Sequence, residues 1–524
     1  MLEKILNNRL IILYLLPFSL GSLTVFSFQP FNFSFINFIL FPVLFFLLVY
    51  IKKKSKSIYR KKPYHRNLFL TGFLFGFGFY LCGIFWITYS LTFDDSFKFL
   101  IPVALIFIPF FLSIFTGLTT LMVGRFLSYN FSSILLFSGA FALSDYLRSK
   151  ILTGFPWNLW SYSWSWLIEV LQIINLFGLF AFNLIVITIF TIPASLFFNS
   201  SFNKKILTTS LTFLFIFSVY IYGTFSINKN KALENYLNDN KKIYTKIISP
   251  NFKLEYNSSI QEVEKKLNKL IRYSDPDPDR ETLFIWPEGI FAGFSYNEIY
   301  QFNNLIRSKF NENHLILLGI NTLDKNSGDY FNSLIVLNNN FQILHRYNKK
   351  KLVPFGEFLP FEMLLSNLGL KKITQGHGSF LKGKKQANFI FNNLNILPLI
   401  CYEIIFTELT QKANKETNLI VNISEDGWFG NSIGPYQHFA KAIYRSIEND
   451  VYLVRSANKG ISAIISNKGE IIKQLNINET GSIEMDIPLI NSKYKNKNDL
   501  IFFILLFTYL IIFIIFKKKN NGKK

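Results

Sequence analysis

Cysteine is almost missing from this chain: Cys82 and Cys401 are the only two. Cys82 falls in an apolar run and Cys401 in a polar stretch far downstream, so no disulfide can form within that stretch, and a disulfide-stapled fold is excluded. The five histidines are scattered without ligand spacing, so metal ligation is not expected. No repeat of fixed period occurs, and Asn-rich stretches such as Asn338 to Asn340 reflect composition bias. Acidic residues are few, 33 against 55 Lys and Arg, which gives a formal net charge of +22. No nucleic-acid motif accompanies that charge. Much of it flanks apolar runs, where it anchors topology and favours anionic lipid headgroups.

Apolar residues are abundant: 50% of the 524 residues are hydrophobic and 61 are Phe. Long apolar runs fall at 10–27, 32–51, 68–92, 99–124, 131–147, 168–197, 206–226 and 499–516. A hydrocarbon core of ~30 Å needs about 20 helical residues, which most of these runs supply; 131–147 and 499–516 are marginal. Pro17, Pro42, Pro109 and Pro193 are expected to kink their helices. The first run has no small-residue cleavage site behind it and does not read as a cleaved signal peptide. Lys52, Lys53, Lys54, Lys56, Arg60, Lys61, Lys62 and Arg66 crowd one loop, whereas the next carries Asp94, Asp95 and Lys98. The positive-inside rule then puts the first loop in the cytoplasm, with Lys4, Arg9, Arg125, Lys204, Lys205 and the tail Lys517 to Lys524. A polytopic α-helical membrane protein of about eight spans is expected, with both ends cytoplasmic. The expected domains are a seven-span bundle at 1–227, an external domain at 228–498, and a last helix with a basic tail at 499–524. Trp157, Trp160, Trp164 and Trp166 read as an external aromatic belt.

The external stretch reads as α/β. Short strands are expected at Tyr244 to Ser249, Thr282 to Ile285, Leu315 to Gly319, Ser333 to Leu337, Ile396 to Cys401, Leu419 to Ile423, Tyr452 to Arg455 and Ile461 to Ser466. Helices are expected at Ile260 to Tyr273 and Gln437 to Glu448, and Asp275-Pro276-Asp277-Pro278 is a breaker turn. Such alternation supports a layered sheet covered by helices.

Three residues there carry chemistry. Glu288 follows one strand, Cys401 ends another, and Lys349 stands in Tyr347-Asn348-Lys349. The C-terminal edge of a strand is where an α/β fold displays reactive side chains. A cysteine attacks a carbonyl as the thiolate, so it needs a base for its proton and a cation or N–H donors for the oxyanion. Glu288 is the candidate base, Lys349 the candidate cation, and Glu357 a second carboxylate able to orient Lys349 or relay a proton. Taken singly each has a plain reading: a small buried thiol, a solvated basic turn, a Trp-Pro-Glu loop. Their joint occurrence in the order Glu, Lys, Cys favours the catalytic one.

At these residues the chain resembles the carbon–nitrogen hydrolase (nitrilase) superfamily, and within it the apolipoprotein N-acyltransferase family. The phrases that carry the resemblance are Tyr347-Asn348-Lys349, Leu352-Val353-Pro354-Phe355-Gly356-Glu357-Phe358, Cys401-Tyr402-Glu403-Ile404, Asp426-Gly427-Trp428-Phe429-Gly430, Ser432-Ile433-Gly434-Pro435-Tyr436-Gln437-His438 and, upstream, Leu152-Thr153-Gly154-Phe155-Pro156-Trp157. The resemblance implies an αββα sandwich with Glu288, Lys349 and Cys401 as triad, supported by Glu357, Tyr402 and Glu403. It further implies acyl transfer from a phospholipid, typically phosphatidylethanolamine, through a Cys401 thioester to the α-amino group of a diacylglyceryl-apolipoprotein, with no cofactor. The implied place is the bacterial cytoplasmic (inner) membrane, with the catalytic domain on the periplasmic or external face. Trp428 and Phe429 stay open between a core corner and a lid that gates lipid entry. Glu425 departs from the family pattern, where an Asn is usual, as do Asp145, Lys459 and the Trp-free segment after Ser249-Pro250-Asn251, where Tyr256 is a substitute. A membrane-tethered amidase would use the same triad with water as second nucleophile. A transporter would need ionisable groups inside the spans, where only Asp145 and Arg148 come near.

Overall fold

The computed structural model describes residues 8–58, 63–234, 241–362, 379–384, 388–411, 416–492 and 498–521. Lys4, Arg60, Lys61, Lys62, Lys523 and Lys524, which entered the charge argument, lie outside them. The chain divides into two compact units: Met1–Thr88, Lys98–Phe225 and Lys497–Lys524 form one, and Tyr89–Phe97 with Ser226–Asn496 the other.

The first unit is helical. Its main helices are α1 (Leu16–Leu23), α2 (Asn37–Ile58), α3 (Pro63–Ile84), α4 (Ile101–Gly124), α5 (Phe131–Lys150), α6 (Leu179–Thr191), the start of α7 (Phe202–Glu234) and, after the second unit, the C-terminal helix Asn498–Asn521. Six helical stretches among the described residues are long and apolar enough to cross a membrane: Ser34–Lys54, Tyr64–Thr92, Asp95–Gly124, Leu179–Phe197, Phe202–Glu234 and Asp499–Lys519. Ile11–Ser27 forms a shorter apolar helix, and α5 carries buried Ser, Asp145 and Arg148 that lower its hydropathy. Pro42 and Pro109 lie inside continuous α-helices, whereas Pro17 and Pro193 stand where one helical form passes into another, Ile11–Leu15 being a π-turn ahead of α1 and Ile192–Phe197 a 3-10 turn after α6. The run 168–197 is not one helix: Ile168–Leu171 and Ile174–Phe177 are single turns, and Gly178, at φ 82°, breaks the chain before α6. Helices α1 and α3 touch backbone to backbone, for a Cβ on Gly21 would stand 1.9 Å from the Phe75 carbonyl oxygen.

The expected aromatic belt is corrected here. Trp157, Trp160 and Trp164 are buried and Trp166 alone is exposed. Trp160 stacks 4.5 Å from Phe79 and meets Phe41 edge-on at 4.8 Å, so the rings bury one another in place of lining an interface.

Among its described residues the second unit holds twelve strands in two six-stranded sheets, ordered β12-β1-β2-β3-β4-β5 and β11-β10-β9-β8-β7-β6. The first comprises β1 (Lys242–Ser249), β2 (Thr282–Ile285), β3 (His314–Leu323), β4 (Tyr330–Leu337), β5 (Ile343–Asn348) and β12 (Gly481–Pro488). The second comprises β6 (Phe389–Phe391), β7 (Leu394–Ile400), β8 (Leu419–Glu425), β9 (Tyr452–Asn458), β10 (Ser462–Ile465) and β11 (Ile471–Leu475). At the centre β1, β2 and β3 run parallel, as do β7, β8 and β9. Alternation sorts the side chains. Leu283 and Ile285 of β2 enter the core between the sheets with Ile400, Val421 and Val454, while Phe284 and Trp286 turn to the other face. There α8 (Ile260–Ser274) covers them with Val263, Leu267 and Leu270. Ser259 and Glu262 form a capping box that starts α8, and α9 (Gly434–Asn449) packs on β9 of the second sheet. The order helix, sheet, sheet, helix is the expected αββα sandwich. Each strand predicted from sequence is present, and the four not predicted, β5, β6, β11 and β12, all lie toward sheet edges.

Candidate active site

Glu288 stands just past β2. The Trp286 N–H donates to the Leu317 carbonyl at 2.8 Å, and its indole N–H to Ser274 Oγ at 3.0 Å, which fixes the exit of the strand. Gly319 of β3 leaves room for it, since a Cβ there would lie 2.8 Å from the Glu288 Cα. Lys349 follows β5, its N–H donating to the Asn332 carbonyl of β4 at 2.8 Å. Glu357 comes from the next turn, closed by the Val353 N–H donating to its Oε2 at 2.9 Å.

These three side chains meet. Lys349 Nζ donates to Glu357 Oε1 at 2.9 Å and to Glu288 Oε1 at 3.3 Å, and Asn332 Nδ2 donates to each of the same oxygens at 2.7 Å. Burial disfavours the Lys349 ammonium, yet the charges of Glu288 and Glu357 outweigh it, and the amine is held well above the usual lysine range. The cation is therefore permanent.

Cys401 follows β7 as the first residue of the helical turn Cys401–Ile405, with its backbone in the left-handed region at φ 47°. The thiol is 7% exposed. Burial pushes its pKa up, and the charge of Glu288 adds to this against the pull of Lys349 and a hydrogen bond with Ser424, so the resting sulfur is a protonated thiol. Glu403 staples the Cys401 and Lys349 segments. Its Oε1 accepts from the Lys350 N–H at 2.7 Å and the Lys351 N–H at 3.1 Å, its Oε2 from the Ile400 N–H at 2.9 Å, and the Tyr347 hydroxyl donates to both. Tyr402 packs on Phe406 with ring centroids 5.0 Å apart. A base-positioned carboxylate, a fixed ammonium and a thiol gathered in this way suit acyl transfer through a thioester.

Profiles of known families match both halves of the chain: the apolipoprotein N-acyltransferase N-terminal domain at residues 20–192 and carbon-nitrogen hydrolase at 279–492. The apolipoprotein N-acyltransferase of Rhizobium leguminosarum bv. trifolii is 30% identical over 486 residues, covering 90% of this chain and 89% of that protein. That of Bradyrhizobium diazoefficiens is 31% identical over 489 residues, with the same 90% and 89% coverage. The chain belongs to the apolipoprotein N-acyltransferase family. It is an acyltransferase built on a carbon–nitrogen hydrolase domain and apolar helices. Among solved structures, Saccharomyces cerevisiae Nit3, of branch 10 of the nitrilase superfamily, aligns with TM-score 0.36 and 16% identity over 47% of this chain and 90% of its own.

In this N-acyltransferase-family chain the segment Asp426–Phe429 is a short helical turn after β8. Trp428 sits between Phe93 and Tyr256, at 4.9 and 6.4 Å, and Phe429 lies 5.2 Å from the His438 ring. Both are partly exposed. Several neighbours escaped the sequence reading. Asn332 had no signal beyond a polar residue in a strand. Arg455 holds Asp426 Oδ2 at 2.8 Å, and His438 places Nδ1 3.0 Å from Asp426 Oδ1 and Nε2 3.2 Å from the Cys401 carbonyl oxygen. Ser424 donates to Asp426 Oδ1 at 2.7 Å. In the sequence His438 is only the last residue of the Ser432-to-His438 motif, and its contact with the Cys401 turn exists only in the fold.

Proposed function

We propose that the protein N-acylates lipoproteins, moving an acyl chain from a phospholipid, phosphatidylethanolamine first, to the α-amino group of an N-terminal S-diacylglyceryl-cysteine. The observation that supports this most is the buried Glu288–Lys349–Glu357 cluster, with the thiol of Cys401 turned into its field. Cys401 is the nucleophile. Because its thiol rests protonated, attack is coupled to proton transfer: Glu288 takes the proton as the sulfur–carbon bond forms, and Lys349 stabilises the oxyanion. Collapse breaks the ester C–O bond, Glu288 returns the proton to the departing lysophospholipid oxygen, and a thioester remains. The acceptor amine then attacks, Glu288 takes a proton from nitrogen, and the C–S bond breaks with that proton passing to sulfur. Glu357 and Glu403 hold Lys349 and the Cys401 turn, Tyr402 lines the turn, and Trp428 with Phe429 gates lipid entry. These steps need no cofactor.

The same reading gives a multi-pass protein of the bacterial cytoplasmic (inner) membrane with eight spans: seven within 1–227, and the last, with its basic tail, in 499–524. Residues 228–498 are on the periplasmic or external face, where lipidated substrates stand. The test is incubation of the full-length protein with phospholipid labelled in the acyl chain, without acceptor. About one label per chain, released by neutral hydroxylamine and lost in Cys401→Ala, is expected. Label retained in Cys401→Ala would overturn the mechanism, and free fatty acid with no amide product on adding a diacylglyceryl peptide would point to a hydrolase.

A further inference from the structure

Glu425, the last residue of β8, is a carboxylate that the steps above leave unused. It is 1% exposed. Oε1 accepts from the Gly427 N–H at 2.8 Å and Oε2 from the Asn458 amide at 2.7 Å, while its own N–H donates to Glu288 Oε2 at 3.2 Å. A Cβ on Gly289 would fall 2.7 Å from Oε2, and one on Gly427 2.6 Å from Oε1. The side chain thus fills the gap between the residue after Glu288 and the turn that carries Trp428.

The charges around it leave it without a counterion. Glu288 and Glu357 divide one cation, Lys349, and Asp426 is taken by Arg455. Tyr256, from the loop after β1, faces the same carboxylates, and its hydroxyl is pushed up by burial and then by Glu425, Glu288 and Glu357. Lys266 of α8 feels Glu425 but donates to Ser258 at 3.0 Å, and Lys459, after β9, lays its Cδ 3.2 Å from the Gly427 Cβ position. None of these lysines forms an ion pair with Glu425 among the described residues. A buried carboxylate with two hydrogen-bond donors and no cation is costly to ionise.

We propose that Glu425 is a positioning residue that works as the neutral acid: protonated, it fills the space between Gly289 and the Gly427 turn without adding charge beside Glu288, and ionised, it sets an uncompensated charge against Glu288 and halts thioester formation. The inference rests on the thioester reading above. Burial, with Glu288 and Asp426 adding to it against the Asn458 and Gly427 hydrogen bonds, pushes the Glu425 carboxyl up to about 8. Cys401, Lys349 and Tyr256 are all held above their ordinary ranges, so none of them changes its charge there. The sign follows: the acid is neutral below that pH and charged above it.

The experiment follows hydroxylamine-labile labelling of the full-length protein by phosphatidylethanolamine, with no amine acceptor, from roughly pH 6 to 10, in wild type, Glu425→Gln and Glu425→Asn. Each rate is normalised to the same protein's rate at pH 7. Wild type is expected to fall above pH 8, by about tenfold for each further unit as for one ionisation, while both neutral variants stay level. A glutamate that merely packs would lower the rate equally at all pH values. A decline in the variants matching wild type, or none in wild type, would overturn the proposal, and Glu425→Asn decides the matter if Glu425→Gln does not fold. Absence of any labile label in wild type would instead strike the thioester reading itself.

Discussion

Glu403 and Tyr347 are joined by two contacts, the phenol lying 2.9 Å from Oε1 and 3.0 Å from Oε2, and through them the turn of Cys401 is tied to the strand that delivers Lys349. The carboxylate also gathers three backbone N–H groups from those two segments. Glu403→Gln exchanges one acceptor oxygen for a donor, so at least one buried N–H loses its partner. A loss of ~1–3 kcal/mol in stability is expected, read as a lowered melting temperature, with slower thioester formation because nucleophile and cation lose their common anchor. Unchanged melting would show that the staple is dispensable.

Glu288→Gln keeps shape but cannot take a proton. It is expected to slow both half-reactions by roughly 10²–10⁴, measured by single-turnover labelling and by amide formation from preformed thioester. A variant impaired in only one half would assign the base of the other elsewhere.

Lys349→Met removes the charged oxyanion partner and also leaves Glu288 and Glu357 facing each other without a cation. A rate loss of at least 10²–10³ is expected for the lost donor, with destabilisation from the two stranded carboxylates. Replacing Glu357 by Gln in that background relieves one of them, so the double variant is expected to melt above Lys349→Met alone.

Replacing Trp428 and Phe429 together with Ala is expected to slow turnover on substrate embedded in vesicles more than on substrate in detergent micelles. Equal losses in both media would return the pair to a packing role against Phe93, Tyr256 and His438.

Membrane sidedness is open to a direct check. A cysteine engineered near Asp277 is expected to react with an impermeant thiol reagent in whole cells. Reaction only after permeabilisation would place residues 228–498 inside.

The central strands were legible because they are near-continuous apolar runs bounded by turns, as for strands buried on both faces. The edge strands were not. In β11 the first four residues are exposed and Lys473-Gln474 cut the apolar run short, and in β5 His345, Arg346 and Asn348 interrupt it. The Trp157-to-Trp166 cluster misled for a related reason, since amphipathic rings suit an interface or a core equally until their neighbours are known. The approach of Lys349 to Glu288 and Glu357 followed from chemistry expected of the motifs. That of Asn332 and His438 did not, because an uncharged amide in a strand and a histidine on a helix carry no local mark of the groups they will meet.

The left-handed backbone at Cys401 sets stability and activity in opposition at that one position. An L-residue there costs roughly 1–2 kcal/mol that glycine would not. Cys401→Gly and Cys401→Ala are both expected to be inactive, yet the glycine protein is expected to melt at the higher temperature. The strain is thus carried by the main chain for as long as the site is kept in working order, and its relief would be a signature of an enzyme that has given up its chemistry.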